Sequence, residues 1–334
     1  MNNEKPIGLF DSGVGGTSIW KEINKLLPNE NSIYLADSKN APYGQKTKAE
    51  ITALSKKNTD FLLEQGCKII VVACNTATTN AIKELRASYD VPFIGIEPAI
   101  KPAAFHSKTQ KIGILATKGT LNSDLFHEAV QLYKNTEIIE QIGYELVDLI
   151  EAGEIESDKM TSLLHVYLQP MIEKNIDYLV LGCSHYPYLI HQIKQILPPH
   201  VHIIDSGEAV AKQTQRILEK NNLLNQTVAH QYLFYSNGNP QVLQNISDDG
   251  DEDDTTKLQW SIQAANNRAI YALKQAGYDA DYLKATLQQG RAAEETDRPI
   301  TQPNTLAQQQ ALANAHGHGG RFHVTGGMHV KSDD

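Results

Sequence analysis

Short runs rich in Ile and Val alternate with amphipathic stretches over the first 235 residues of this chain. The apolar runs predict strands over 7–10, 32–36, 69–73, 93–96, 112–116, 178–182 and 202–205, because each is short, β-branched and bounded by polar or turn residues. Between them, apolar residues at helical spacing predict helices over 47–65, 76–89, 124–133, 157–174 and 207–220. Strands alternating with helices of this length form parallel sheets covered on both faces. The expected fold is two pseudo-symmetric α/β domains with largely parallel sheets, a site in the cleft between them at the carboxyl ends of the strands, and an acidic C-terminal appendage. The expected organisation is a first α/β domain over 1–96, a second over 97–206, a return to the first over 207–246, and an extension over 247–334.

The pattern repeats. Ile7-Gly8-Leu9-Phe10-Asp11-Ser12 resembles Ile112-Gly113-Ile114-Leu115-Ala116-Thr117, and the run Ile69 to Thr76 resembles Tyr178 to His185. Ile7 and Ile112 stand 105 positions apart, and Cys74 and Cys183 stand 109 apart. Two pairs with nearly one offset are the mark of an internal duplication, each half supplying one cysteine at a strand end.

A cysteine between a strand and a helix faces the helix's free N–H groups and the positive end of its dipole, which favour the thiolate. Two such thiols, one on each side of a small substrate, can do what one cannot. One removes the proton α to a carboxylate, and the other returns a proton to the opposite face, so the stereocentre inverts. The same N–H groups, with the side chains of Asn75, Thr76, Ser184 and His185, suit a carboxylate. Asp11-Ser12-Gly13-Val14-Gly15-Gly16 is a glycine-rich turn that lacks both dinucleotide and phosphate-loop spacing. Pro42-Tyr43-Gly44 is a turn whose ring can wall a pocket, and Thr117 to Thr120 holds the duplicated counterpart of Asp11-Ser12. Cys67, at the approach to a strand, reads as a packing residue.

The net charge of −9 argues against nucleic acid as a partner, because phosphate contacts need clustered Lys and Arg. No stretch approaches the roughly 20 apolar residues of a membrane helix, and the first residues lack a signal-peptide layout. Three cysteines outside any zinc-like spacing fit a reducing, cytoplasmic setting. No lysine occupies a strand-end position suited to a pyridoxal Schiff base, so neither cofactor nor metal is expected. Residues 248–254 are an acidic run, and 246–334 carry 13 acidic and 8 basic residues. Helices are expected over 258–276 and 279–290, and His316, His318, His323 and His329 read as solvated.

Four segments in order carry a specific resemblance: Gly8 to Gly16, Ala41-Pro42-Tyr43-Gly44, Ala73-Cys74-Asn75-Thr76-Ala77-Thr78, and Leu181-Gly182-Cys183-Ser184-His185-Tyr186-Pro187. Over about residues 6 to 240 the chain resembles the glutamate racemases of the cofactor-independent aspartate/glutamate racemase family. The resemblance implies that Cys74 takes the proton from the D-enantiomer and Cys183 from the L-enantiomer. It implies that Asp11 assists near Cys74 and His185 near Cys183, and that Glu151 matches a family acidic position that also supports catalysis. Substrate contacts would come from Asp11, Ser12, Tyr43, Gly44, Asn75, Thr76, Thr117, Thr120, Ser184 and His185. D-glutamate so formed would feed peptidoglycan synthesis and cell shape, with a free amino acid as partner and a homodimer left open. Ser184 stands where the family usually has threonine, Gln141 to Tyr144 replaces a commoner sequence, and the closing helix is curtailed to about 241–246. An aspartate racemase of the same fold, a one-cysteine decarboxylase, and a non-enzymatic scaffold acting through the extension are the alternatives weighed.

Overall fold

Two all-parallel sheets organise the computed structural model, which describes residues 3–226 and 231–247. The first contains β1 (Ile7–Asp11), β2 (Ser32–Ala36), β3 (Ile69–Val72), β4 (Phe93–Gly95) and β9 (Tyr232–Ser236), in the order β4-β3-β1-β2-β9. The second contains β5 (Lys111–Ala116), β6 (Glu137–Ile142), β7 (Tyr178–Gly182) and β8 (His202–Ile204), in the order β6-β5-β7-β8. Taken from its other edge, the second sheet repeats the strand order of the first, with β5 for β1 and β7 for β3. These are the pairs that the repeated sequence links. Both sheets belong to one compact unit, Met1–Asp251.

The helices are α1 (Thr17–Leu26), α2 (Lys48–Glu64), α3 (Asn75–Ser88), α4 (Ile100–His106), α5 (Lys118–Leu121), α6 (Asp124–Val130), α7 (Leu146–Glu151), α8 (Asp158–Glu173), α9 (Ile190–Ile196), α10 (Gly207–Lys220) and α11 (Pro240–Ser247). Local chemistry sets their starts. Thr47 and Glu50 close a capping box on α2, Ser157 caps α8, and the sulfur of Cys74 itself accepts from the Ala77 N–H at the start of α3. Burial explains the strands: every residue of β1 and β3 is buried, as a central parallel strand requires. Phe10, Leu62, Ile70, Val72 and Leu85 belong to one apolar core, and Ile112, Ile114, Phe126 and Val180 to a second.

Two strands are absent from the sequence expectation. β6 has no buried residue and carries Glu137, Glu140 and Gln141, so an edge position leaves it without the apolar run that marks its neighbours. β9 is aromatic, and it is seated by Trp20 of α1, which meets Tyr232 and Phe234 edge-on at centroid distances of 5.4 and 4.8 Å. The short α11 is anchored: Leu243 and Ile246 are buried, and Lys21 donates to the Ile246 carbonyl. Where the chain passes between the sheets, Ser206 Oγ donates to the Glu97 carbonyl, so the outgoing and returning segments are bonded to each other. Among the described residues no helix is long and apolar enough to cross a membrane. The expected extension beyond residue 247, with its acidic run, helices and histidines, lies outside the described residues.

Candidate active site

Both cysteines stand at carboxyl ends of matched strands. Cys74 follows β3, which pairs with β1, and Cys183 follows β7, which pairs with β5, and both line the same cavity. The cavity holds about 10 Å³, the room of roughly one water molecule. Ser12, Tyr43 and Gly44 line it from the first sheet's loops, with Asn75 and Thr76 from the start of α3. Thr117, Ser184 and His185 line it from the second. Pro42 and Val147 complete the wall; Pro42 belongs to the turn singled out from the sequence, whereas Val147 is an ordinary apolar helix residue that carries no motif.

Three expected site residues stand behind that wall. Asp11 is fully buried, takes the Gly16 N–H at 2.7 Å, and accepts from Ser12 Oγ at 3.4 Å and Ser184 Oγ at 3.3 Å. Thr120 forms a hydroxyl triangle with Thr76 and Thr117, with separations of 2.7, 3.1 and 3.3 Å, which joins the two halves over the site. Glu151, the last residue of α7, receives the Val14 N–H at 2.6 Å and Ser38 Oγ at 2.7 Å, both from the first half.

Each sulfur thereby heads a chain that ends on a carboxylate. Cys74 Sγ donates to Ser12 Oγ at 3.7 Å, and Ser12 donates to Asp11. Cys183 Sγ lies 3.8 Å from His185 Nδ1, and His185 Nε2 lies 2.6 Å from Glu151 Oε1. The carboxylate acceptor places a hydrogen on Nε2 and turns Nδ1 toward the sulfur. Close packing of the halves depends on missing side chains. A Cβ on Gly13 would lie 1.8 Å from Glu151 Oε1, and one on Gly15 would lie 2.2 Å from His185 Nδ1.

Electrostatics differ between the groups. Burial first, then the charge of Asp11, pushes the Cys74 thiol well above its ordinary value, against the lowering effect of the Ala77 N–H. The thiolate that a helix start favours is thus not the form of Cys74 in the closed cavity, because desolvation outweighs the helix contribution. Burial pulls the His185 imidazolium down, but the bonds to Cys183 and Glu151 and the charge of Asp11 outweigh it, so the imidazolium persists well above its usual range. Burial also raises Glu151, yet His185, Ser38 and the Val14 N–H together hold it below the ordinary carboxylate value. Asp11 is raised, mainly by burial. Cys67 lies apart beneath β1, where a Cβ on Gly8 would meet its sulfur at 2.8 Å; burial pushes its thiol up to about 12.

One observation points to a polar ligand. Asn75 is buried, lines the cavity, and has neither amide atom hydrogen-bonded, a costly state that a ligand's carboxylate would relieve. Tyr43, whose ring forms part of the wall, is fixed by its hydroxyl donating to Asp37 at 2.5 Å and accepting from Asn58 at 3.1 Å. Asp37 and Ser38 escaped the sequence reading. They follow β2 where Ser12 and Gly13 follow β1, and the strand-end rule could have found them. Among the described residues no group of three His, Cys, Asp or Glu is arranged to hold a metal ion.

Residues 7–214 match the family described as Asp/Glu/Hydantoin racemase. Curated relatives include a glutamate racemase of Herpetosiphon aurantiacus, 43% identical over 71% of this chain and 94% of its own length. Another, from Methylococcus capsulatus, is 45% identical over 72% of this chain and 89% of its own. Among solved structures, a glutamate racemase isoform of Bacillus anthracis superposes with a TM-score of 0.68 at 30% identity, covering 74% of this chain and 94% of that one. The Francisella tularensis glutamate racemase, solved with D-glutamate, gives 0.65 at 31% identity, over 74% of this chain and 93% of that one. With matched strand-end thiols on one cavity and a match across both sheets, this chain belongs to the Asp/Glu/Hydantoin racemase family.

Proposed function

We propose that the chain interconverts L- and D-glutamate by a two-thiol proton transfer, in the cytoplasm, supplying D-glutamate for peptidoglycan. The observation that carries this reading is the opening of both Cys74 and Cys183 onto one small cavity from corresponding strand ends. In the L-to-D direction the Cys183 thiolate removes the α-proton, leaving a carbanion next to the carboxylate. The Cys74 thiol then gives its proton to the opposite face. The turnover ends with Cys183 as thiol and Cys74 as thiolate, and the reverse reaction starts from that state.

Asp11 and Ser12 serve the Cys74 side; His185 and Glu151 serve the Cys183 side. Asn75 and Thr76, at the start of α3, are suited to the α-carboxylate. Tyr43, Gly44, Thr117 and Ser184 position the rest of the substrate, and Thr120 holds Thr76 and Thr117 in place. We assign the domains to 1–96, 97–206 and 207–246, in keeping with the sheet to which each strand belongs.

Aspartate is the nearest rival, and a single methylene is worth only about 1–3 kcal/mol of discrimination. The relatives at 42–45% identity named as glutamate racemases support glutamate. The test is incubation with each glutamate enantiomer in D₂O for the parent, Cys74→Ser and Cys183→Ser, repeated with aspartate. The parent inverts glutamate with uptake of deuterium at the α-carbon, and each variant loses inversion. A variant that keeps the parent rate would remove the two-thiol scheme.

A further inference from the structure

The Cys183 side of the site ends on Glu151, whose surroundings make it an awkward place for an anion. Glu151 is the last residue of the short α7, where the helix's own free carbonyls carry negative partial charge. Its carboxylate is nevertheless ionised and oriented, because donors reach it from the other half of the molecule. Oε1 receives the Val14 N–H at 2.6 Å and faces His185 Nε2 at 2.6 Å. Oε2 receives Ser38 Oγ at 2.7 Å.

We propose that Ser38 is a positioning residue for the Cys183 proton transfer: it crosses the cleft from the end of β2, engages Glu151 Oε2, and so leaves Oε1 aimed at His185. This rests on the assignment of Glu151 and His185 to Cys183 given above. Ser38 is itself held in place. The next residue's N–H donates to Asn237 Oδ1 at 2.8 Å, and a Cβ on Gly238 would lie 2.6 Å from Ser38 Cβ. Its other neighbour, Asp37, fixes Tyr43 in the cavity wall. One segment therefore presents Tyr43 to the cavity and Ser38 to Glu151, so the seating of that segment against substrate and the orientation of His185 are linked.

A residue that only latches the halves together would slow both proton transfers alike; one that acts through Glu151 and His185 slows one. Enantiomers have equal free energy in water, so kcat/KM must fall equally in the two directions, and rates alone do not separate the cases. Isotope effects do. The experiment compares the parent, Ser38→Ala and Glu151→Gln, using L- and D-glutamate deuterated at the α-carbon. Thermal unfolding serves to check that each variant is folded. For Ser38→Ala we expect kcat/KM to fall about tenfold, the scale of one hydrogen bond to a charged group. The deuterium effect on kcat/KM should rise for the L-substrate, whose proton goes to Cys183, and fall toward one for the D-substrate. Glu151→Gln should show the same asymmetry.

An unchanged rate, or isotope effects that move together in folded Ser38→Ala while Glu151→Gln is asymmetric, overturns the role of Ser38 and leaves the assignment of Glu151 standing. Balanced effects in Glu151→Gln overturn that assignment and the role of Ser38 with it. A parent without glutamate racemisation removes the proposed function itself.

Discussion

Replacing Gly15 by alanine tests how closely the halves must approach for reaction. The added Cβ would lie 2.2 Å from His185 Nδ1, 2.3 Å from its Cγ and 2.6 Å from its backbone N. Unbonded carbons rest at about 3.5–4.0 Å. Rotating the imidazole relieves the first two contacts, but the third is to backbone, and only a separation of about 1 Å between the β1–α1 turn and the β7 strand end removes it. Overpacking of this kind costs about 1–3 kcal/mol. The two apolar cores are separate clusters on separate sheets, so the strain is relieved by parting the cleft while each core stays intact. The cost then falls on the closed, reacting state, and at a factor of ten per 1.36 kcal/mol, kcat/KM drops about 5- to 160-fold. Circular dichroism of the substrate gives the racemisation rate, and thermal melting gives the stability. A parent-like rate would show that the halves stand farther apart in the reacting state. Loss of the folded state alongside activity would show that the strain cannot be released by opening.

Asn75→Ala deletes two buried polar atoms that have no partner, so the unfolding temperature should hold or rise while KM for glutamate increases several-fold; an unchanged KM would refute the assignment of that amide to substrate. The pH dependence of stability should carry the signature of His185. Its folded value lies well above the ordinary 6.5, so its contribution is complete below that pH and is lost as the pH rises through the folded value. The parent should lose stability relative to His185→Gln over the alkaline range, in paired melting curves; a parent that gains on the variant there has the sign reversed.

The strands legible in the sequence were the short apolar runs, the edge strands β4 and β8 among them. β1, β3, β5 and β7 are unbroken apolar runs, and their repetition announced both the second sheet and the matched cysteines. The other two edge strands, β6 and β9, lack such a run. β6 meets neighbours on one side and keeps its glutamates, while β9 depends on Trp20, two hundred residues away in the chain, so local pattern said little of either. In the site, residues at the ends of the apolar strands could be named because strand and turn mark their places. Ser38 acts through a bond to a residue 113 positions further on, and the raised Cys74 thiol reflects how tightly the cavity shuts. Both arise from the approach of two halves, which no short segment encodes.

The pairing of β9 with β2 also bears on how the polypeptide comes into being. Strand β9 enters the first sheet in register Ser32↔Tyr232, and Lys68, paired with the buried Glu30, donates to the Leu223 carbonyl on the way there. During synthesis the second sheet, contiguous from Lys111 to Ile204, is available in full before the first has its outer strand. The half encoded first is therefore the last to be finished on the ribosome. Until Ser236 emerges, the open side of β2 offers unpaired backbone to any neighbouring nascent chain, and a transcript cut short before that point would leave a product prone to stick to its own kind.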